Sequence, residues 1–175
     1  RGAAYTIAAQ HLEGWTLTLQ AAPAPNDPLL VLRPPAELST GLFKQVFSRA
    51  MESLTTPASP MVALVLRGEF DGLVGDRLTQ EELLAAAQAA GLPGPGFTPR
   101  CLVHRYVSEP GRVRQVYFVY FDSPALQGFR REIGLDADAL APVLFVAAAG
   151  ADVNSWLPQR VNAGEDCLAP IEIAR

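Results

Sequence analysis

Two periods of hydrophobic spacing divide this chain into strands and helices. Between Trp15 and Gln20, apolar Trp15, Leu17 and Leu19 alternate with Thr16, Thr18 and Gln20, the period-two pattern of a half-buried strand. Residues 4–9 also read as a strand, and the turn-forming His11-Leu12-Glu13-Gly14 between the two predicts a β-hairpin. Pro23, Pro25 and Pro28 with Asn26-Asp27 then disfavour both helix and central strand, so a loop precedes a short apolar strand at residues 29–32. From there the spacing becomes helical. Leu42, Phe43, Val46, Phe47, Ala50, Met51 and Leu54 share one stripe, with Lys44, Gln45, Arg49 and Glu52 opposite and Ser39 or Thr40 as the capping residue.

After Pro57 and Pro60, the continuous apolar run of residues 61–66 predicts a central strand covered on both faces. Thr79 and Glu82 form a capping box, and Leu78 and Leu83 have staple spacing; the helix they open ends at Gly91, before Pro93. Two alternating strands, 100–107 and 112–121, meet at Glu109-Pro110-Gly111-Arg112, where Pro and Gly hold the central positions of a type II turn. Ser123 caps a helix that begins with Pro124 and buries Leu126, Phe129 and Ile133. Residues 143–147 predict a further buried strand, Asp152 caps a short turn through Trp156, and a last strand falls at residues 168–173.

These elements describe one α+β domain over residues 1–175 with a mainly antiparallel sheet. From Met61 to Ala149 the order is βαββαβ, which resembles the ferredoxin-like split βαβ arrangement, preceded by a β-hairpin, a strand and an amphipathic helix. The expectation is a four-stranded antiparallel sheet with both helices on one face. An internal echo is weighed against chance: Val31 through Pro35-Ala36 resembles Val119 through Pro124-Ala125, and Pro60 and Gly68 bracket their strand as Pro142 and Gly150 bracket theirs. If it is a duplication, the domain is two related α+β halves.

Alternation in the second hairpin puts Cys101, Val103, Val107, Val116, Phe118 and Tyr120 on one face and Leu102, His104, Tyr106, Tyr117, Val119 and Phe121 on the other. Neither face is polar enough to lie wholly in water, so both need a cover. The amphipathic helix is the expected cover of the face opposite the two later helices, with Phe47 and Met51 buried; a second copy of the chain is the alternative.

Composition narrows the partners. The chain is 49% hydrophobic and 18% charged, a globular balance, and its longest apolar runs are far shorter than the roughly 20 residues a membrane-spanning helix needs. The net charge is −4 and the basic residues form no patch, which argues against nucleic acid. Cys101 and Cys167 fit no zinc spacing; they either form one disulfide in an oxidising compartment or stand as two buried thiols. The sequence starts Arg1-Gly2-Ala3, and if a leader has been removed, a periplasmic or secreted location is favoured.

Candidate chemistry is sparse, and no cofactor motif is present. Glu69, Asp71 and Asp76 read as a solvated Gly-rich loop in preference to a cation site, and Pro93-Gly94-Pro95-Gly96 as a rigid connector in preference to a phosphate loop. The register of the second hairpin sets His104 across from Tyr117, with Tyr106 beside it and Gln115 across from Tyr106. His104, Tyr106 and Tyr117 are therefore the candidate ligand-binding residues, weighed against an ordinary half-buried strand face. Two functions follow: a non-catalytic binding or interaction domain, whose partner is a protein or a small apolar ligand, or a small enzyme with a pocket on the His104/Tyr117 face. A closed concavity there would favour the enzyme, and a covered surface the binding domain.

Overall fold

The structure is a computed structural model that describes residues 2–150, 153–157 and 161–175, so that Asp152 lies outside the described residues. Its elements are β1 (Tyr5–Ala8), a 3-10 turn (Ala9–Leu12), β2 (Thr16–Leu19), β3 (Pro28–Arg33), α1 (Ala36–Ala50), β4 (Val62–Leu66) and a helical turn α2 (Arg67–Glu69) continuing through Phe70–Val74. There follow α3 (Gln80–Ala89), β5 (Thr98–Glu109), β6 (Arg112–Asp122), α4 (Pro124–Glu132), β7 (Val143–Ala149), a 3-10 turn (Val153–Trp156), α5 (Ala163–Asp166) and β8 (Cys167–Ala174). The strands make an eight-stranded sheet in the order β1-β8-β5-β6-β7-β4-β3-β2. Among the described residues only the β1–β8 junction is parallel.

The local signals act as their chemistry requires. Thr79 Oγ1 accepts the Glu82 amide while the Glu82 carboxylate accepts the Thr79 amide, and the β5–β6 hairpin turns at Gly111 with φ of 84°. Two caps depart from the expectation: Ser123 stands at the N-cap position of α4 but makes no side-chain capping hydrogen bond, and α1 starts at Ala36, directly after Pro34-Pro35, so Ser39 and Thr40 lie inside the helix. The preset φ of proline suits a helix entrance and leaves no amide unpaired, which moves the start ahead of the hydroxyl residues.

Pairing departs from the expectation in two places. The element succession of residues 61–149 is present, but α3 joins β4 to β5, which run antiparallel with β7 and β6 between them, and α4 joins β6 to its immediate antiparallel neighbour β7. A split βαβ unit instead links parallel strands through its helix. The reason is the return segment after each helix: residues 133–142 bring the chain back until the Phe121 amide donates to the Pro142 carbonyl, and residues 51–61 do the same after α1, where Val62 meets Leu32. Each helix with its return reverses the chain, so the next strand enters antiparallel. Both halves of the sheet, β2-β3-α1-β4 and β5-β6-α4-β7, follow this same ββαβ path, and the order β5-β6-β7 is mirrored by β4-β3-β2.

The second departure is at the N-terminus, where β1 and β2 are not a hairpin but the opposite edges of the sheet. Fully extended, the chain from Ala8 to Thr16 spans at most about 29 Å, whereas the seven spacings between edge strands of a flat sheet cover about 34 Å. The sheet is therefore curled toward the face that the link crosses. Trp15 anchors that link in the core, with ring centroids 5.2 Å from Phe97 and 5.7 Å from Phe121 and its indole N–H donating to the Leu12 carbonyl. A link stretched from one edge of the sheet to the other cannot form the tight turn a hairpin needs.

All three longer helices pack on this one face. Leu38, Leu42 and Val46 of α1, Leu83 and Ala87 of α3, and Leu126 and Phe129 of α4 share a core with Leu30, Leu64, Leu102, Val119 and Leu144 of the sheet. The opposite face carries Cys101, Val103, Val116, Phe118, Val143 and Phe145, against which Val153, Trp156, Leu157 and Val161 pack. The cover of that second face is thus the C-terminal segment, not α1. Phe47 and Met51, expected to be buried, are 48% and 88% exposed, because α1 ends at the rim of the sheet with Met51 in the left-handed conformation. A disulfide joins Cys101 of β5 to Cys167 at the start of β8, with Cα atoms 5.7 Å apart, and α5 is held beside it through the Arg105–Asp166 ion pair.

α1 also closes the sheet's β1 edge. The Gln45 side chain donates to the Thr6 carbonyl and accepts the Thr6 amide, and the Arg49 guanidinium donates to the Ala3 and Ala4 carbonyls while stacking over the Tyr5 ring. Backbone groups that would otherwise invite another strand are occupied.

The two halves meet at β4 and β7, whose register contains only Val62 opposite Leu144. Where they part, the buried Arg130 of α4 fills the junction: it donates to the Leu64 carbonyl of β4, to both oxygens of Glu69 and twice to the Asp136 carbonyl. Glu69 in turn accepts the Leu66 amide. Truncating one partner of such a buried pair strands the other, so Arg130→Ala should lower the unfolding free energy by about 3–5 kcal/mol in a urea titration. A loss below about 1 kcal/mol would show that the pair does not hold the halves together. Replacing both Cys101 and Cys167 by Ala should cost about 4 kcal/mol in the same assay, since the bridge closes a loop with a sequence separation of 66.

Candidate functional site

β5 and β6 hold the candidate residues in register. His104 lies opposite Tyr117 and Tyr106 opposite Gln115, and the pleat puts all four on the helix-bearing face. The His104 ring stacks on Tyr117 at 4.2 Å between centroids and 9° between planes, with Tyr106 at 5.6 Å on the same strand. Tyr117 is buried, His104 half-buried and Tyr106 62% exposed, so burial falls off along the hairpin toward its tip. At the tip the helices no longer cover the sheet.

A polar chain crosses the boundary between covered and open surface. The buried Gln115 amide donates through Nε2 to Glu52, just past the end of α1, and its Oε1 faces His104 Nε2 at 2.8 Å. Glu52 as a carboxylate can only accept, so the Gln115 nitrogen must point to it and the oxygen to His104. The His104 Nε2 therefore carries a proton and donates. Burial pushes the Tyr117 phenol up from its ordinary pKa, and the Glu52 carboxylate and Tyr5 add to the effect. Neutral Tyr117 is thus stabilised against ionisation by the place it occupies.

The space beside this chain is open. Phe47, Ser48, Met51, Glu52, Leu54 and Thr55 line a groove of about 700 Å³ at the end of α1. Thr55 fixes its floor by pairing through both backbone groups with Ala148 of β7. On the sheet beyond Gln115, Val113 is 48% exposed. The His104/Tyr117 surface is covered, and the accessible volume lies outside it.

The acidic segment is helical and not the solvated Gly-rich loop expected, because Phe70 and Val74 are buried in the core: Glu69 ends α2 and is taken by Arg130, and Asp71 in the stretch Phe70–Val74 pairs with Arg67 at 3.6 Å. Among the described residues no group of three or more His, Cys, Asp or Glu is placed to hold a metal ion. The connector Pro93 to Gly96 packs on the start of α4, where a Cβ on Gly94, whose φ is 72°, would sit 2.5 Å from that of Ala125. A second hollow, about 600 Å³, lies at the other end of the sheet, but Arg100 there pairs with Asp122 and Asn162 caps the Gly164 amide.

Spacing alone finds His104, Tyr106, Tyr117 and Gln115. It places Glu52 on the solvent side of its helix, where its partnership with Gln115 has no local signal. Arg130 does leave one: it stands four residues after Leu126 on the stripe that α4 buries. Compared with protein-family models, with curated proteins and with solved structures, the chain matches none. The geometry is the whole basis for assigning a role.

Glu52→Gln removes one of the charges that raise the Tyr117 pKa and leaves desolvation in place, so the pKa should fall toward the ordinary phenol value without reaching it, as read by tyrosinate absorbance. Below the ordinary phenol range both folded and unfolded Tyr117 are neutral and stability has its full value. As pH rises past that range the unfolded chain loses its proton first, and stability declines until folded Tyr117 ionises as well. Glu52→Gln should reduce this alkaline loss.

Proposed function

We propose that this chain is a non-catalytic binding domain whose contact surface is the open groove at the end of α1 together with the exposed end of the β5–β6 hairpin. One observation carries the reading: Phe47, Met51, Tyr106 and Val113, large apolar side chains at 48% exposure or more, gather around the Glu52–Gln115–His104 chain. Apolar side chains scattered singly over a surface need no explanation, but a group with a polar centre marks a contact site. The enzyme reading has less support, since Tyr117 is buried under the stacked His104 and the His104 Nε2 is engaged by Gln115. A substrate between the two rings has no space.

Two further readings belong with this one. The mirrored ββαβ paths and the paired Pro35-Ala36 and Pro124-Ala125 helix starts support two related halves that arose by duplication, with the binding groove on one of them. The Cys101–Cys167 bridge supports an oxidising compartment, periplasmic or extracellular.

A photo-cross-linking residue at position 51 or 106, introduced into the chain in its native host, should give the same discrete adduct on irradiation. The exposed position 88 on α3 should give none. Adducts at 88 alone, or at none of the three, would refute the assignment of this surface.

A further inference from the structure

The groove carries a charge without a counterion. Glu52 is exposed and accepts one hydrogen bond, from neutral Gln115, and among the described residues no cation pairs with it. The nearest basic residue in sequence, Arg49, is turned to the Ala3 and Ala4 carbonyls and the Tyr5 ring. Gln115 fixes the carboxylate from the protein side, so its remaining lone pairs face the groove. Its effect on Tyr117 shows that its field reaches into the sheet. Around it stand Phe47 and Met51, and across Gln115 from it Tyr106, whose exposed ring can accept a cation on the face not stacked on His104.

We propose that the groove takes a basic side chain, Arg or Lys, from an amphipathic segment of a partner polypeptide, with Glu52 pairing to its charge and Phe47, Met51 and Tyr106 packing on its aliphatic stem and on the apolar residues beside it. The inference rests on the binding-domain reading and adds the chemistry of the partner. A single carboxylate in a groove lined otherwise by uncharged side chains is complementary to a single cation on an apolar segment and repels an acidic one. Arg suits the site better than Lys, because its planar group pairs with a carboxylate through two bonds and stacks on tyrosine.

The test uses the full chain and two labelled synthetic peptides of equal length, one of leucine and arginine and the other of leucine and glutamate, each arranged to form an amphipathic helix. Fluorescence anisotropy gives affinity, and amide chemical shifts give location. The arginine peptide should bind, shift the amides of residues 47–55 and 115, and weaken as salt is raised. Glu52→Gln should reduce its affinity about tenfold with an unchanged amide spectrum elsewhere, and Met51→Ser should reduce it too, whereas Asp76→Asn, an exposed acid outside the groove, should not.

Equal binding of both peptides in the groove would overturn the proposal but leave the binding-domain reading standing. Shifts confined to other surfaces, or no binding of either peptide, would also overturn it; the cross-linking result then judges the binding reading separately. Self-association of the chain that Met51→Asp abolishes would overturn it in favour of a second copy as the occupant.

Discussion

Arg130 settles how the sheet holds together at its centre. β4 and β7 join the two ββαβ halves, and they diverge after one opposed pair, Val62 and Leu144. A sheet that opens in its interior exposes backbone carbonyls to an apolar core, where each unpaired group costs a few kcal/mol. The guanidinium has five fixed donors, and Leu64, Glu69 and Asp136 use all of them. A lysine in its place would offer three donors and no planar fork, and could not span these acceptors. With the centre fixed, each helix can pack across the seam onto the other half, α1 against β7 and α4 against β4.

The same economy of side-chain capping finishes the edges. Gln45 and Arg49 occupy the backbone of β1, and the Trp15 link curls the opposite edge toward the helices. Because α1 must reach β1 with these residues, its last turn runs out to the rim, and the stripe that begins buried at Leu38 ends exposed at Met51. The open groove follows from this placement. The left-handed turn at Met51 ends the helix, and the next residue, Glu52, accepts from Gln115 while Phe47 and Met51 remain in solvent.

The disulfide secures the other flank. β8 lies between β5 and β1, so the bridge from Cys101 to Cys167 fixes the strand on which β1 depends. β1 then presents Tyr5 to Arg49 and to the neighbourhood of Tyr117. Through these contacts the N-terminal strand, the C-terminal strand and the candidate site form one mechanically connected region, although they are far apart along the chain.

The sequence by itself determined the longer helices, most of the strands and the β5–β6 register, and missed the helical turns at Arg67–Val74 and Ala163–Asp166. Alternation, the Thr79 box, the Pro110-Gly111 turn and the Pro124 start are local chemistry, decided within a few residues, and from them the facing of His104 and Tyr117 follows. Partners of strands remote in sequence were decided only by the tertiary structure. β1 and β2 have the pattern of a hairpin, yet a period of two says which side of a strand is apolar and nothing of which strand lies beside it. Helix α1 shows the same limit: its stripe specifies that a face is buried, but how far along the helix the cover extends depends on where the sheet ends. Glu52, Gln115 and Arg130 gained their roles in this way. Each is a polar side chain with one partner 61 or more residues away, brought within hydrogen-bond distance by the packing of the apolar core.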